Sequence, residues 1–223
     1  MEIPLQEFER AAQRLKGVLH HTELDLSATF SAMTGGNIYL KYENSQKTGS
    51  FKIRGASNKI AALVERGELY RFGRGLYVRC SAWEDDFSLL QRRYGRGIYS
   101  NDTALYLLGY SDRTPAKYTM TFPKGYNAPS LRQENLIVRR VVPENYMFGQ
   151  TQIASPSGNP IRVYDLERTL CDILRGSGSD IQIVGEAMKR YAASRDKNMH
   201  KLMQYAERLR VKPKVMRYME ILQ

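Results

Sequence analysis

The apolar residues of this 223-residue chain change period repeatedly, and no apolar run reaches the roughly 18 residues a membrane helix needs. Leu5, Phe8, Ala12, Leu15 and Leu19 recur at helical spacing, which predicts an amphipathic helix over 4–19. A short helix follows Asp25, with Phe30 and Met33 inward and Gly35-Gly36 as its stop. Ile38, Leu40 and Tyr42 alternate, so 37–42 reads as a strand; a polar loop over 43–50 then gives way to a helix from Ser50 towards Arg66. Two strand-like runs, Glu68–Phe72 and Gly75–Arg79, flank Gly73-Arg74 and predict a β-hairpin. Further helices are expected around Phe87–Leu90 and from a cap at Ser100 or Asn101 through Leu108 to Gly109. Strands are expected at Tyr118–Phe122, Leu136–Val142 and Tyr146–Ile153, and Ser155–Pro160 is a turn cluster. Asp165 can cap a helix over Leu166–Leu174. Residues 176–179 read as a linker, and everything from Asp180 is helical, with Pro213 opening the last helix. The class is α+β with a helical C-terminus.

Composition excludes several functions. The chain is 42% hydrophobic and 26% charged, which is globular and not disordered. Met1–Arg10 lacks the basic start and apolar centre of a secretory signal. Cys80 and Cys171 are too few and too far apart for a disulfide framework or a zinc cluster, so both are expected as reduced thiols in a cytoplasmic protein without a membrane partner. His20 and His21 are adjacent and cannot share a helical face; no metal site, nucleophile elbow or phosphate-binding loop is expected. Glu84-Asp85-Asp86 reads as an acidic helix start. The net charge of +11 favours polyanionic partners. Residues 1–63 carry only +2 of it and the remainder +9; 185–217 alone hold ten Lys/Arg against three Asp/Glu.

Residues 35–63 contain the strand Asn37–Tyr42, the pair Glu43-Asn44 and the run Ser50-Phe51-Lys52-Ile53-Arg54-Gly55-Ala56. This segment, extending back to about Ile3, closely resembles threonine dehydratase and its fold-type-II pyridoxal-phosphate relatives. The resemblance implies that Lys52 is the Schiff-base lysine and binds the cofactor. Such chemistry also needs a glycine-rich loop or helix N-terminus for the phosphate, a partner for the pyridine nitrogen, and walls that exclude water. The family supplies these downstream of the lysine, through a Ser-x-Gly-Asn-His run and a loop of consecutive glycines. Neither follows Leu63 in this sequence. Glu23 also departs from the family, which places proline there.

From Ala62 the sequence resembles a second family. Leu63–Val78 looks like the end of a winged helix. Gly97–Gly109, Ser111–Pro115, Tyr118–Asn127 and Asn159–Leu174 are similar, in that order, to AbiEi antitoxins of type IV toxin–antitoxin systems. The resemblance implies a winged helix that binds the operator of its own operon, a larger C-terminal domain, and a nucleotidyltransferase toxin as partner in phage defence. A recognition helix would read the groove while a basic wing meets phosphates. Lys59 and Arg66 on the helix, and Arg71, Arg74 and Arg79 on or beside the wing, are the expected DNA contacts. Dehydratase-like sequence stands where that family has two further helices, so the winged helix is expected to be incomplete. The expected parts are therefore a dehydratase-like fragment (1–61), a helix end and wing (62–80) and an antitoxin-like domain (81–223). The leading expectation is a DNA-binding, antitoxin-like transcriptional regulator without catalysis or cofactor. The alternative is a pyridoxal-phosphate-dependent threonine dehydratase, inactive as a fragment.

Overall fold

The computed structural model describes residues 3–80, 85–127, 136–175 and 179–222. The chain divides into two compact units, residues 1–82 and 83–223. Of the expected linker over 176–179, residues 176–178 lie outside the described residues, as does Glu84 of the acidic helix start.

In the first unit, α1 (Leu5–Leu15) stops short of Leu19 because Lys16 turns extended and Gly17 follows at φ +77°. The strand β1 (Leu24–Leu26) pairs antiparallel with β2 (Tyr39–Lys41), Leu24 opposite Lys41. Three residues are too few to show a period, so β1 was not foreseen. Between them runs α2 (Ala28–Thr34), capped by Ser27 Oγ, which accepts from the Phe30 N–H at 3.3 Å, and closed by Gly35 at φ +73°. A 3-10 turn over Glu43–Ser45 leads to α3 (Lys52–Glu65). The expected hairpin follows as β3 (Leu69–Gly73) and β4 (Leu76–Arg79), with a bulge between Arg71 and Gly73.

Among its described residues this unit fully buries only two side chains, Thr22 and Gln46, and both are polar. Phe8, Phe30, Met33 and Phe51 are 59%, 47%, 75% and 65% exposed. Fully burying each such side chain would contribute about 1.5–3 kcal/mol. The unit forgoes that contribution and is tied together mainly by polar contacts.

The second unit is built differently. Asp85 caps α4 (Asp86–Arg93), its side chain accepting from the Ser88 N–H, as an acidic helix start should. Burial alone would push the Asp85 carboxyl up, but hydrogen bonds from Ser155 and Asn159 hold it below its ordinary value. After β5 (Ile98–Tyr99) come α5 (Asn101–Leu107), β6 (Tyr118–Pro123), β7 (Leu136–Val141), α6 (Pro143–Tyr146), β8 (Gln150–Ala154) and β9 (Pro160–Tyr164). The strands form one sheet in the order β7-β6-β5-β9-β8. The pairs β6–β7 and β5–β9 are parallel; β5–β6 and β8–β9 are antiparallel. The strand expected from Tyr146 begins only at Gln150, because Pro143 opens a helical turn and Gly149 reverses the chain at φ +75°.

The core lies around α7 (Leu166–Arg175), which buries seven of its ten residues. Leu170, Ile173 and Leu174 meet Met188 and Tyr191 of α8 (Ile181–Ala193), Leu202 of α9 (Met199–Arg208) and Val215 of α10 (Lys212–Ile221). Ile98, Tyr99, Met120, Phe122 and Val163 are fully buried in the sheet. The molecule is α+β with a helical C-terminus, as its periodicities require.

Candidate functional site

Lys52 is the first residue of α3 and is exposed. The chain reaches it through Gly49 at φ +70° and Ser50, whose Oγ accepts from the Lys52 backbone N–H at 3.3 Å. Among the described residues its amine has no ion pair or hydrogen bond.

Two residues on, Arg54 turns the other way and makes a fork with Glu43. Arg54 Nε donates to Glu43 Oε2 at 2.7 Å and Nη2 to Oε1 at 2.6 Å. Thr22 Oγ1 donates to the same Oε1 at 2.7 Å, and Lys41 Nζ donates to the Thr22 carbonyl. Gln46 clamps His20, accepting from its N–H at 3.1 Å and donating to its carbonyl at 2.7 Å. At the far end of α3, Arg14 of α1 pairs with Glu65 at 2.7 Å and donates to Asn58. The Glu43 and Gln46 contacts fix the loop before Lys52 and the start of α3, and Arg14 ties the far end of α3 to α1. Sequence reasoning singled out Glu43 and Arg54 only as parts of a motif. No local period could pair them, since they lie on opposite sides of an irregular loop.

The hydrogen bonds from Arg54, then from Thr22, hold the Glu43 carboxyl down at about 2, against an ordinary 4.5. A lowered folded-state value means the ionised form supports the fold. That support is complete above pH 4.5 and is lost as pH falls towards 2. Hydrogen exchange across residues 20–60 is therefore expected to lose protection over this interval. In Arg54→Ala the loss should begin at higher pH; an unshifted profile would discount the pair.

The expected DNA contacts lie on α3 and the β3–β4 hairpin, with Arg71 and Arg79 on one face of the hairpin because Arg79 pairs with Leu69. Lys59 lies on α3, Arg66 just beyond it, Arg71 on β3, Arg74 in the turn and Arg79 at the end of β4, all exposed. Arg66 is engaged by Glu68 at 2.8 Å, and Arg71 Nε donates to the Gly73 carbonyl at 3.3 Å. Several cations of the basic C-terminal helices make internal contacts. Lys201 bridges Asp165 at 3.2 Å and Glu167 at 3.0 Å, Arg208 donates to the Glu144 carbonyl at 2.6 Å, and Lys214 to the Leu174 carbonyl at 2.8 Å. Both cysteines are free thiols. Cys80 is exposed, whereas burial pushes the Cys171 thiol up to about 12. Among the described residues no three His, Cys, Asp or Glu side chains cluster to hold a metal, and no helix is long and apolar enough to cross a membrane.

No family model matches the chain. Its N-terminal region is similar to threonine dehydratases. It is 59% identical to the L-threonine ammonia-lyase of Thermotoga maritima over 63 residues, 28% of this chain and 16% of that protein. It is 43% identical to the catabolic L-threonine dehydratase of Escherichia coli K12 over 82 residues, 37% of this chain and 23% of that protein. The serine racemase of Dictyostelium discoideum is 40% identical over 63 residues, 28% of this chain and 19% of that protein. The chain thus spans about a sixth to a quarter of the length of these relatives.

These findings correct the leading expectation. The chain is not supported as an antitoxin-like, DNA-binding regulator, because the curated proteins it matches are threonine and hydroxyaspartate ammonia-lyases, dehydratases and a serine racemase. Acids also stand among the expected contacts: Glu65 is paired with Arg14, and Glu68 sits 2.8 Å from Arg66 in an exposed pair. The dehydratase alternative fits better.

Proposed function

We propose that the first unit is the lysine-bearing element of an ammonia-lyase of the threonine dehydratase type, with Lys52 as the residue that would hold pyridoxal phosphate. The observation that carries this reading is the 59% identity over 63 residues to a threonine ammonia-lyase. The Glu43–Arg54 fork supports it, because it holds the loop and helix start that present Lys52.

The cofactor does not fit the first unit as it stands. A cavity of about 600 Å3 lies beside α1 and β2, lined among others by Leu15, Lys16, His20, Lys41 and Arg54, but Lys52 is not in its wall. Arg54, its best anion ligand, is already forked to Glu43. The Lys52 amine stands in solvent beside an exposed Phe51, where nothing excludes water from an imine. The unit carries the attachment residue without the cradle, and its uncovered apolar side chains are those of an element that packs within a larger domain.

The test is a graft. The matched 63 residues replace their counterpart in the Thermotoga maritima enzyme. Ammonia release from L-threonine by the chimera is expected to stay within about tenfold of the parent, since 59% of the replaced positions are identical. Lys52→Ala in the chimera should lower it by more than about a thousandfold, as removal of a covalent catalytic group does. The chain alone is expected to release no ammonia above background. A folded chimera that is inactive, or one that ignores Lys52→Ala, ends the proposal.

A further inference from the structure

The second unit contains a cavity of about 830 Å3 against the β6–β7 part of the sheet, reaching the start of α5 and the last turn of α7. This lies within the roughly 300–1,000 Å3 of small-molecule sites. Its lining is unbalanced in charge. Lys124, Arg139, Arg140 and Arg175 bring four cations, and Asp172 the single carboxylate. Asp172 is already bound to Arg168 at 2.8 Å, so it cannot neutralise the four as well. Among the described residues none of the four has an ion pair or a side-chain hydrogen bond.

Arg139 is the sharpest of them. It projects from an edge strand, opposite Thr121 in the register, and its Nε is buried without a hydrogen-bond partner. An unsatisfied buried donor of this kind is costly, more so when it belongs to a charged group. Across the cavity, Asn101 heads α5 at φ +50°, in the left-handed region that non-glycine residues seldom adopt, and its side chain is buried. Arg140 leaves the strand on the face opposite to Arg139 and is exposed, so the charge to be met inside is chiefly that of Arg139, Lys124 and Arg175, which a neutral or cationic ligand would leave uncompensated. One carboxylate would neutralise only one of them.

We propose that this cavity binds a phosphorylated small molecule, with Arg139, Arg175 and Lys124 supplying the counter-charge. A phosphate ester or pyrophosphate carries two or more negative charges and several acceptor oxygens, and arginine forks match that geometry. The concave shape favours a small molecule over a polymer backbone, which would need an extended basic track.

The test is titration calorimetry on the full chain at constant ionic strength, using pyrophosphate, ADP, adenosine and acetate as probes. Pyrophosphate and ADP are expected to bind saturably; adenosine and acetate are not. Arg139→Gln and Arg175→Gln should each weaken ADP binding by about tenfold or more, the effect of losing one charge-assisted hydrogen bond. Should Arg139→Gln fail to fold, Arg175→Gln, at an exposed side chain, carries the test alone. The proposal is overturned if neither phosphate probe binds saturably, if acetate binds as tightly as pyrophosphate, or if the folded variants match the parent.

Discussion

Arg168→Ala is expected to destabilise the second unit by about 3–5 kcal/mol, the usual cost of removing one partner from a buried ion pair. The side chain is fully buried, with relative exposure of 0%. Its Nε donates to Asp172 Oδ2 at 2.8 Å, and its Nη1 donates to the carbonyls of Asn145 and Phe148, both at 2.9 Å. The guanidinium lies 4.4 Å from the centre of the Tyr164 ring and 5.7 Å from that of Phe148. Truncation thus strands a carboxylate and two carbonyls and opens a void. Burial already pushes the Asp172 carboxyl up, against the pull of Arg168. Without Arg168 only burial and the more distant Arg175 and Arg139 act on it. Thermal unfolding should move down by roughly ten degrees or more. Replacing both partners with apolar residues, Arg168→Met with Asp172→Leu, should recover part of the loss, because it removes the stranded charge. A melting temperature for Arg168→Ala within a degree or two of the parent would show that the pair contributes nothing.

Gly149→Ala is expected to cost about 2–5 kcal/mol, from two sources that add at one position. The residue sits at φ +75°, where a Cβ meets its own backbone. That Cβ would also lie 2.8 Å from Arg168 Cβ and 3.3 Å from the Tyr205 ring. Arg168 Cβ cannot yield without moving α7, so the clash is not relieved by a rotamer change. Gly97 provides the contrast. A Cβ there would meet Met120 Cε at 2.7 Å, the free end of a flexible side chain, and Phe122 Cζ at 3.1 Å, without a positive φ. Gly97→Ala should cost about 1–2 kcal/mol, less than Gly149→Ala. Urea unfolding of the two variants gives the ranking, and the reverse order would refute the account. Gly149 and Arg168 touch, so a double variant should not show the sum of the single effects.

Much of the local structure was legible without coordinates. Gly35 and Asp85 stop and start their helices as their residue types predict, Ser27 and not Asp25 heads α2, and Gly73-Arg74-Gly75 turns the hairpin where expected. Errors fell where a signal was short, where two signals collided, and at β9 (Pro160–Tyr164), which was passed over between a turn cluster and a helix cap. β1 and β5 have three and two residues, below any detectable period. The strand expected from Tyr146 mixed a proline-initiated turn with the true strand. The functional misreading had another origin: the arginines of the hairpin and the C-terminal helices were given more weight than the dehydratase-like run, and it is to dehydratases and ammonia-lyases that the chain is similar.

What the amino-acid order determined alone is local: the α+β class, a helix beginning within two residues of Lys52, and the dehydratase-like run around it. Periods of two and of three to four residues report neighbours on one strand or one helix face, and these need no partner elsewhere in the chain. The tertiary structure decided the rest. It joined Glu43 to Arg54 across an irregular loop, sank Arg168 against the Tyr164 ring, and brought cations from β7, the turn after β6 and α7 to the lining of one cavity. It also left Phe51, next to Lys52, in water. Burial and convergence arise from pairing between distant segments. Their free energy depends on which surfaces meet, a quantity no local window of sequence contains.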